Sequence, residues 1–194
     1  MLKFLSLFSC WLLLSGNISQ VSPAAFPDIP VITENSVGKA RIGMPVARLK
    51  ELYKGCTFTP VHLLAYGFDD TNSKPSGIMV KAGRQQLFLY FADWQTKKKV
   101  ACLLAFHSAY KTANGIHVGS TSGQLKTFLP TVQAVPNMML PDFQIAFSGA
   151  VEKPGLEYIF FKQPELGKYV VADEPTKITM SNDRISWIQI RSNL

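Results

Sequence analysis

The sequence predicts an α+β fold of two tandem helix-plus-antiparallel-meander units, with both helices packed on one face of the sheet. The first observation is a pair of similar segments 76 positions apart, Arg41–Lys50 (RIGMPVARLK) and His117–Lys126 (HVGSTSGQLK). Each runs a β-branched residue, a glycine, a turn or helix-start residue, then an apolar-spaced helix, so Leu49, Leu52 and Tyr53 correspond to Leu125, Phe128 and Leu129. The second is that several strand-like runs follow each helix. Helices do not alternate with single strands, which disfavours a parallel wound sheet. The third is a run, Lys99–Ser108, apolar on both faces, as a central strand must be. The expected division is a signal peptide over 1–25, an extended leader over 26–36, a first unit over 37–112 and a second over 113–194.

Lys3 followed by the apolar run Phe4–Leu14 reads as a secretory signal. That run is about half the ~20 residues needed to span a bilayer, so a retained anchor is disfavoured. Leu7-Phe8-Ser9-Cys10 approaches a lipoprotein processing site, but bulky Phe8 and the short preceding apolar region argue against lipidation. Pro23, Pro27 and Pro30 make the leader extended. Val37–Ile42 is then a short strand or approach, Gly43-Met44 a bend, and Pro45 the first turn of a helix running to about Lys54 and stopping at Gly55. Residues 57–76 read as a mixed loop. Gly77–Ala82, Gln86–Ala92 and Lys99–Ser108 read as three strands, and Asn114-Gly115 as a turn. Ser120 or Thr121 caps a second helix that ends near Pro130. A long connection through Pro136 and Pro141 leads to strands at Phe143–Phe147 and Leu156–Lys162. A hairpin, Lys177–Ser181 and Arg184–Arg191, turns across Asn182-Asp183.

The chain is 47% hydrophobic and 17% charged, a globular balance. Losing Lys3 with the signal peptide takes the formal net charge from +7 to +6. The excess suits an acidic partner, but the scattered basic residues lack the clustered face of a nucleic-acid binder. Lys97-Lys98-Lys99 reads as a solvated turn. Cys56 and Cys102 remain after processing. An exported chain invites a disulfide between them, whereas the apolar strand around Cys102 also suits a free thiol packed as a small hydrophobe.

The candidate catalytic patterns each fail on geometry. Ser108-x-x-Lys111 resembles the nucleophile motif of penicillin-recognising enzymes, yet it leaves a strand, where residues at this spacing point to opposite faces. Gly115–Gly123 precedes a helix but lacks the Gly-Lys-Ser/Thr ending of a phosphate loop. His62, His107 and His117 are not at one-turn spacing, and no paired Cys-x-x-Cys exists. Asp69-Asp70 and Asp173-Glu174 are adjacent acids in polar loops, whose neighbours point apart. No cofactor and no metal are expected.

Ile42-Gly43-Met44-Pro45-Val46-Ala47-Arg48-Leu49-Lys50-Glu51-Leu52 resembles the opening of the SmpA/OmlA-like small outer-membrane lipoproteins. The tandem fold of the β-lactamase-inhibitor proteins is similar. In both, Gly-Met-Thr starts a helix that is followed by a second helical stretch and an antiparallel meander; here Pro45 and Ser120 depart from that pattern and the lipoprotein cysteine is missing. The resemblance implies the fold and no functional residue. The expected function is a secreted or periplasmic, non-catalytic protein-binding module, such as an inhibitor of an exported hydrolase or a cell-envelope assembly factor. Its binding surface would draw on Tyr90, Trp94, Lys97, Lys98, Tyr158 and Trp187. The competing reading is a small envelope enzyme or ligand carrier with a site between the units, marked by His107 or His117 near an acid.

Overall fold

The computed structural model describes residues 29–69, 76–137, 140, 142–149, 155–162, 166–171 and 174–191. The segment expected to be a signal peptide and the start of the expected leader lie outside the described residues. In chain order the elements are β1 (Ile32–Thr33), β2 (Ser36–Val37), β3 (Ala40–Arg41), α1 (Val46–Leu52), β4 (Thr57–Val61), a 3-10 turn (Leu63–Tyr66), β5 (Gly77–Ala82), β6 (Gln85–Ala92) and β7 (Val100–Ala105). Then come α2 (Ser122–Phe128), β8 (Gln133–Pro136), β9 (Phe143–Phe147), β10 (Glu157–Phe161), β11 (Thr176–Lys177) and β12 (Trp187–Arg191). The fold is mixed α/β: a nine-stranded antiparallel sheet, a small three-stranded sheet and two short helices.

The large sheet has the order β11-β8-β9-β10-β12-β7-β6-β5-β4. From the β7–β12 junction the strands step backward along the chain in both directions, β7-β6-β5-β4 one way and β12-β10-β9-β8 the other. The two helix starts are held by matching bonds. The Gly43 amide donates to the Val100 carbonyl, and 76 positions on the Gly119 amide donates to Ile185 (both 2.8 Å). The Val46 amide bonds Lys98 O and the Ser122 amide bonds Asp183 O; Val100 returns a bond to Met44 O and Ile185 to Ser120 O. Both glycines have φ in the left-handed region, +77° and +92°, which the chain needs to turn from strand into helix there. The helix caps differ. Thr121 and Gln124 form a reciprocal capping box on α2, whereas Pro45 gives α1 no side-chain cap and instead spares an amide that would have no partner.

Apolar side chains form a core cluster on each face of the sheet. On one face Leu49 and Tyr53 from the first helix segment and Leu125 from α2 join Val80, Phe88, Tyr90, Leu103, Tyr158, Phe160 and Ile188. Alternate positions, Met79, Leu89, Cys102, Leu104, Ile159 and Trp187, make the second cluster. β7 is sixth in the order and apolar on both faces, as its composition requires.

Several expectations need correction. The leader is not simply extended: β1, β2 and β3 pair as the small sheet, Ile32, Val37 and Ala40 are buried in the first cluster, and Ile32 and Lys111 join the leader to the chain after β7. The loop assigned to 57–76 contains β4, an edge strand in which Pro60 is tolerated because one side of the strand has no ladder to support. The connection before Phe143 contains β8, which ends at Pro136. The final hairpin does not form. Lys177 pairs at the sheet edge with β8, while β12 inserts between β10 and β7. Trp187, Ile188, Gln189 and Ile190 are all buried, and only a central position covers both faces of such a run. Cys56 and Cys102 are not bonded to each other. Cys56 packs against the helix-side cluster and Cys102 belongs to the opposite one, so the sheet separates them.

Candidate binding surface

Alternation along the strands fills the face away from the helices with aromatic rings. Trp187, on β12 next to β7, makes edge-on contacts with Tyr66 (5.9 Å between centroids) and Phe143 (5.2 Å), and a tilted one with Phe106 (5.6 Å). Phe161 stacks beside Phe143 at 4.5 Å, and Phe68 meets Phe91 edge-on at 5.0 Å. The 3-10 turn supplies buried Leu63 and half-buried Tyr66, and the Asn137 side-chain amide, just after β8, donates to Gly67 O. Phe91, Phe106, Ile145 and Phe161 are only half-buried and leave an apolar rim. The Trp187 Nε1–H, in the middle of this cluster, is buried and has no hydrogen-bond partner.

The β6–β7 turn, Asp93–Lys99, is built differently. The Asp93 carboxylate accepts from the backbone amides of Thr96 (2.6 Å), Lys98 (3.1 Å) and Lys99 (3.1 Å) and from the Thr96 hydroxyl. The Asp93 amide donates to Lys99 O, and the Lys97 amide to Asp93 O. This staple holds Lys97 at φ +55° and leaves Trp94 83% exposed, with Lys97, Lys98 and Lys99 around it.

Bonding to the Thr96 and Lys99 amides holds the Asp93 carboxyl well below the usual carboxylate range. Because the folded value is depressed, the staple is complete above the unfolded carboxyl pKa of about 3.9 and is lost as pH falls through the lower, folded value. The Asp93 side-chain carboxyl carbon, followed by NMR, is therefore expected to keep its ionised shift down to about pH 3. Asp93→Asn should raise amide exchange at Thr96, Lys98 and Lys99. Titration of Asp93 near the unperturbed value would refute the staple.

The residues expected to form one surface are divided among three places. Trp94, Lys97 and Lys98 share the turn. Tyr90 and Tyr158, only 2% and 3% exposed, belong to the helix-side core, where burial raises both phenols, Tyr158 to about 12. Trp187, 4% exposed, lies on the aromatic face. No known protein family, characterised protein or solved structure matches this chain.

No group of three or more His, Cys, Asp and Glu side chains among the described residues could hold a metal ion. The His117 Nδ1 pairs with its neighbour's carbonyl, Val118 O, and the His107 Nδ1 accepts the Ala109 amide. Burial lowers the His107 pKa. Lys111, of the Ser-x-x-Lys pattern, bridges Val31 and His117 through its backbone. Ser120 and Thr121 serve the start of α2: the Ser120 hydroxyl accepts the His117 amide and Thr121 caps the helix. Sequence reasoning missed Tyr66, Phe106 and Phe143 as parts of one cluster. The signal for Phe106 lay in the alternation Cys102, Leu104, Phe106. The signal for the staple was Asp93 three residues before Thr96, a spacing suited to a local side-chain-to-backbone turn.

Proposed function

We propose that the chain comprises two helix-plus-meander units, residues 37–112 and 113–194, and acts as a secreted or periplasmic, non-catalytic protein-binding module. The matching bonds at Gly43 and Gly119 and the backward-stepping strand order support the first part. The observation that carries the binding role is the aromatic face spanning both units. It has partly buried Phe91, Phe106 and Phe161 at its rim, on the face opposite the helix-side cluster. Rigid aromatic side chains supply contact area at low entropic cost and dominate many protein interfaces. An inhibitor of an exported hydrolase or an envelope assembly factor would use such a face.

The test is retention from envelope extract on the immobilised chain. The expected result is a stoichiometric protein whose retention falls at least about tenfold in Phe106→Ser/Phe161→Ser. The helix-side substitutions Lys50→Ser/Lys54→Ser should leave it unchanged. If no protein is retained and a small metabolite raises the melting temperature, the ligand-carrier reading replaces this one.

A further inference from the structure

The Asp93–Lys99 turn is not part of the aromatic face and calls for a different partner. We propose that it docks the protein on an anionic bilayer surface, with Trp94 in the headgroup region and Lys97, Lys98 and Lys99 facing lipid phosphates.

Three features favour this over a protein partner. First, the turn is a short protrusion, seven residues from Asp93 to Lys99, whereas a stable protein interface buries about 1,200–2,000 Å² in total. A bilayer needs no matching pocket, and each aromatic or cationic side chain adds to affinity separately. Second, an indole beside several lysines is the combination that settles at a membrane–water interface, ring among the headgroups and ammonium groups on phosphate. Trp94 is the most exposed aromatic side chain in the described structure. Third, the turn is already formed. The acid within it, Asp93, is turned inward by three backbone amides and the Thr96 hydroxyl, so its oxygens are engaged while the three ammonium groups are free to face outward.

The experiment is co-sedimentation of the full chain with vesicles of phosphatidylcholine alone, or with about one part phosphatidylglycerol to two of phosphatidylcholine. The expected result is preference for the anionic vesicles, weakened when salt rises from about 0.1 M to about 0.5 M. Lys97→Gln/Lys98→Gln/Lys99→Gln should lower partitioning roughly a hundredfold, about five-fold for each lysine. Trp94→Ser should lower it about tenfold. The N-terminal segment 1–36, with its apolar run, is common to every variant, so these ratios isolate the turn. All four positions are exposed, and melting temperatures should not change.

As a control for net charge, Lys54→Gln/Lys168→Gln/Lys177→Gln removes three exposed lysines elsewhere and should cost less than about five-fold. Equal loss in this control, retained binding in the turn variant, or indifference to phosphatidylglycerol would each overturn the proposal. A chain that ignores anionic vesicles and is retained on polyglutamate would also overturn it, and would assign the turn to an acidic polypeptide.

Discussion

Leu49→Ala and Leu125→Ala are each expected to destabilise the protein by about 3–5 kcal/mol, by matching amounts. Both side chains are fully buried in the helix-side cluster, and each is the only apolar residue of its helix that is buried. Each helix has seven residues, far too few to persist in water without tertiary packing, so the leucine is what docks it. Truncation removes transfer energy and leaves a cavity under a backbone that the Gly43–Val100 or Gly119–Ile185 bonds keep in place. Urea unfolding measures the loss. At about 2–4 °C per kcal/mol for a domain of this size, the melting temperature should fall by about 6–20 °C.

The caps separate the helices more finely. Thr121→Ala should cost about 1 kcal/mol because it opens the capping box; Pro45 has no side-chain cap to lose. A cost below about 1 kcal/mol for either leucine would mean that its helix is not docked through that residue.

Local chemistry made these helices legible in the sequence. Pro45, Thr121 and the leucine spacing act within one or two turns, and the α1 and α2 bounds fall inside the expected ranges. The strands at Gly77–Ala82 and Phe143–Phe147 were equally plain, since alternating or continuous apolar runs are local signals. What could not be read was anything decided by pairing partners. Pro60 looks like a strand breaker until β4 is seen to be an edge. Asn182-Asp183 looks like a hairpin turn until Lys177 is seen at the far edge and Trp187 at the centre. The candidate surface divided for the same reason. Tyr90 and Phe91 are neighbours in sequence, and the pleat sends one to the helix-side core and the other to the aromatic face. Trp94 was legible because it lies in a turn, beyond the reach of sheet register.

The second large effect is expected at the far end of the chain, where Arg191→Met should destabilise by about 2–3 kcal/mol. Glu157 of β10 lies on the aromatic side of the sheet with its side chain only 5% exposed. Arg191 Nε donates to Oε2 at 2.9 Å and Nη2 to Oε1, while the Gln189 amide donates to Oε2 at 2.5 Å. Phe147 and Gln189 are its register partners on β9 and β12. Removing the arginine leaves that charge to one amide.

A fully buried pair broken in this way costs about 3–5 kcal/mol, and the 48% exposure of the Arg191 side chain lowers the expected figure. Glu157→Gln/Arg191→Met removes both charges, and the Gln189 amide keeps a carbonyl to bond. The double variant should therefore recover more than half of the single variant's loss in a double-mutant cycle. If it is as unstable as Arg191→Met alone, the arginine acts by packing its stem over β7 and β10 and not by meeting the carboxylate. The distinction matters for the binding face, because this pair joins β10 to β12, the strand that brings Trp187 into the aromatic cluster. If the pair is what sets that strand's position, Arg191→Met should shift the Trp187 fluorescence as well as the stability.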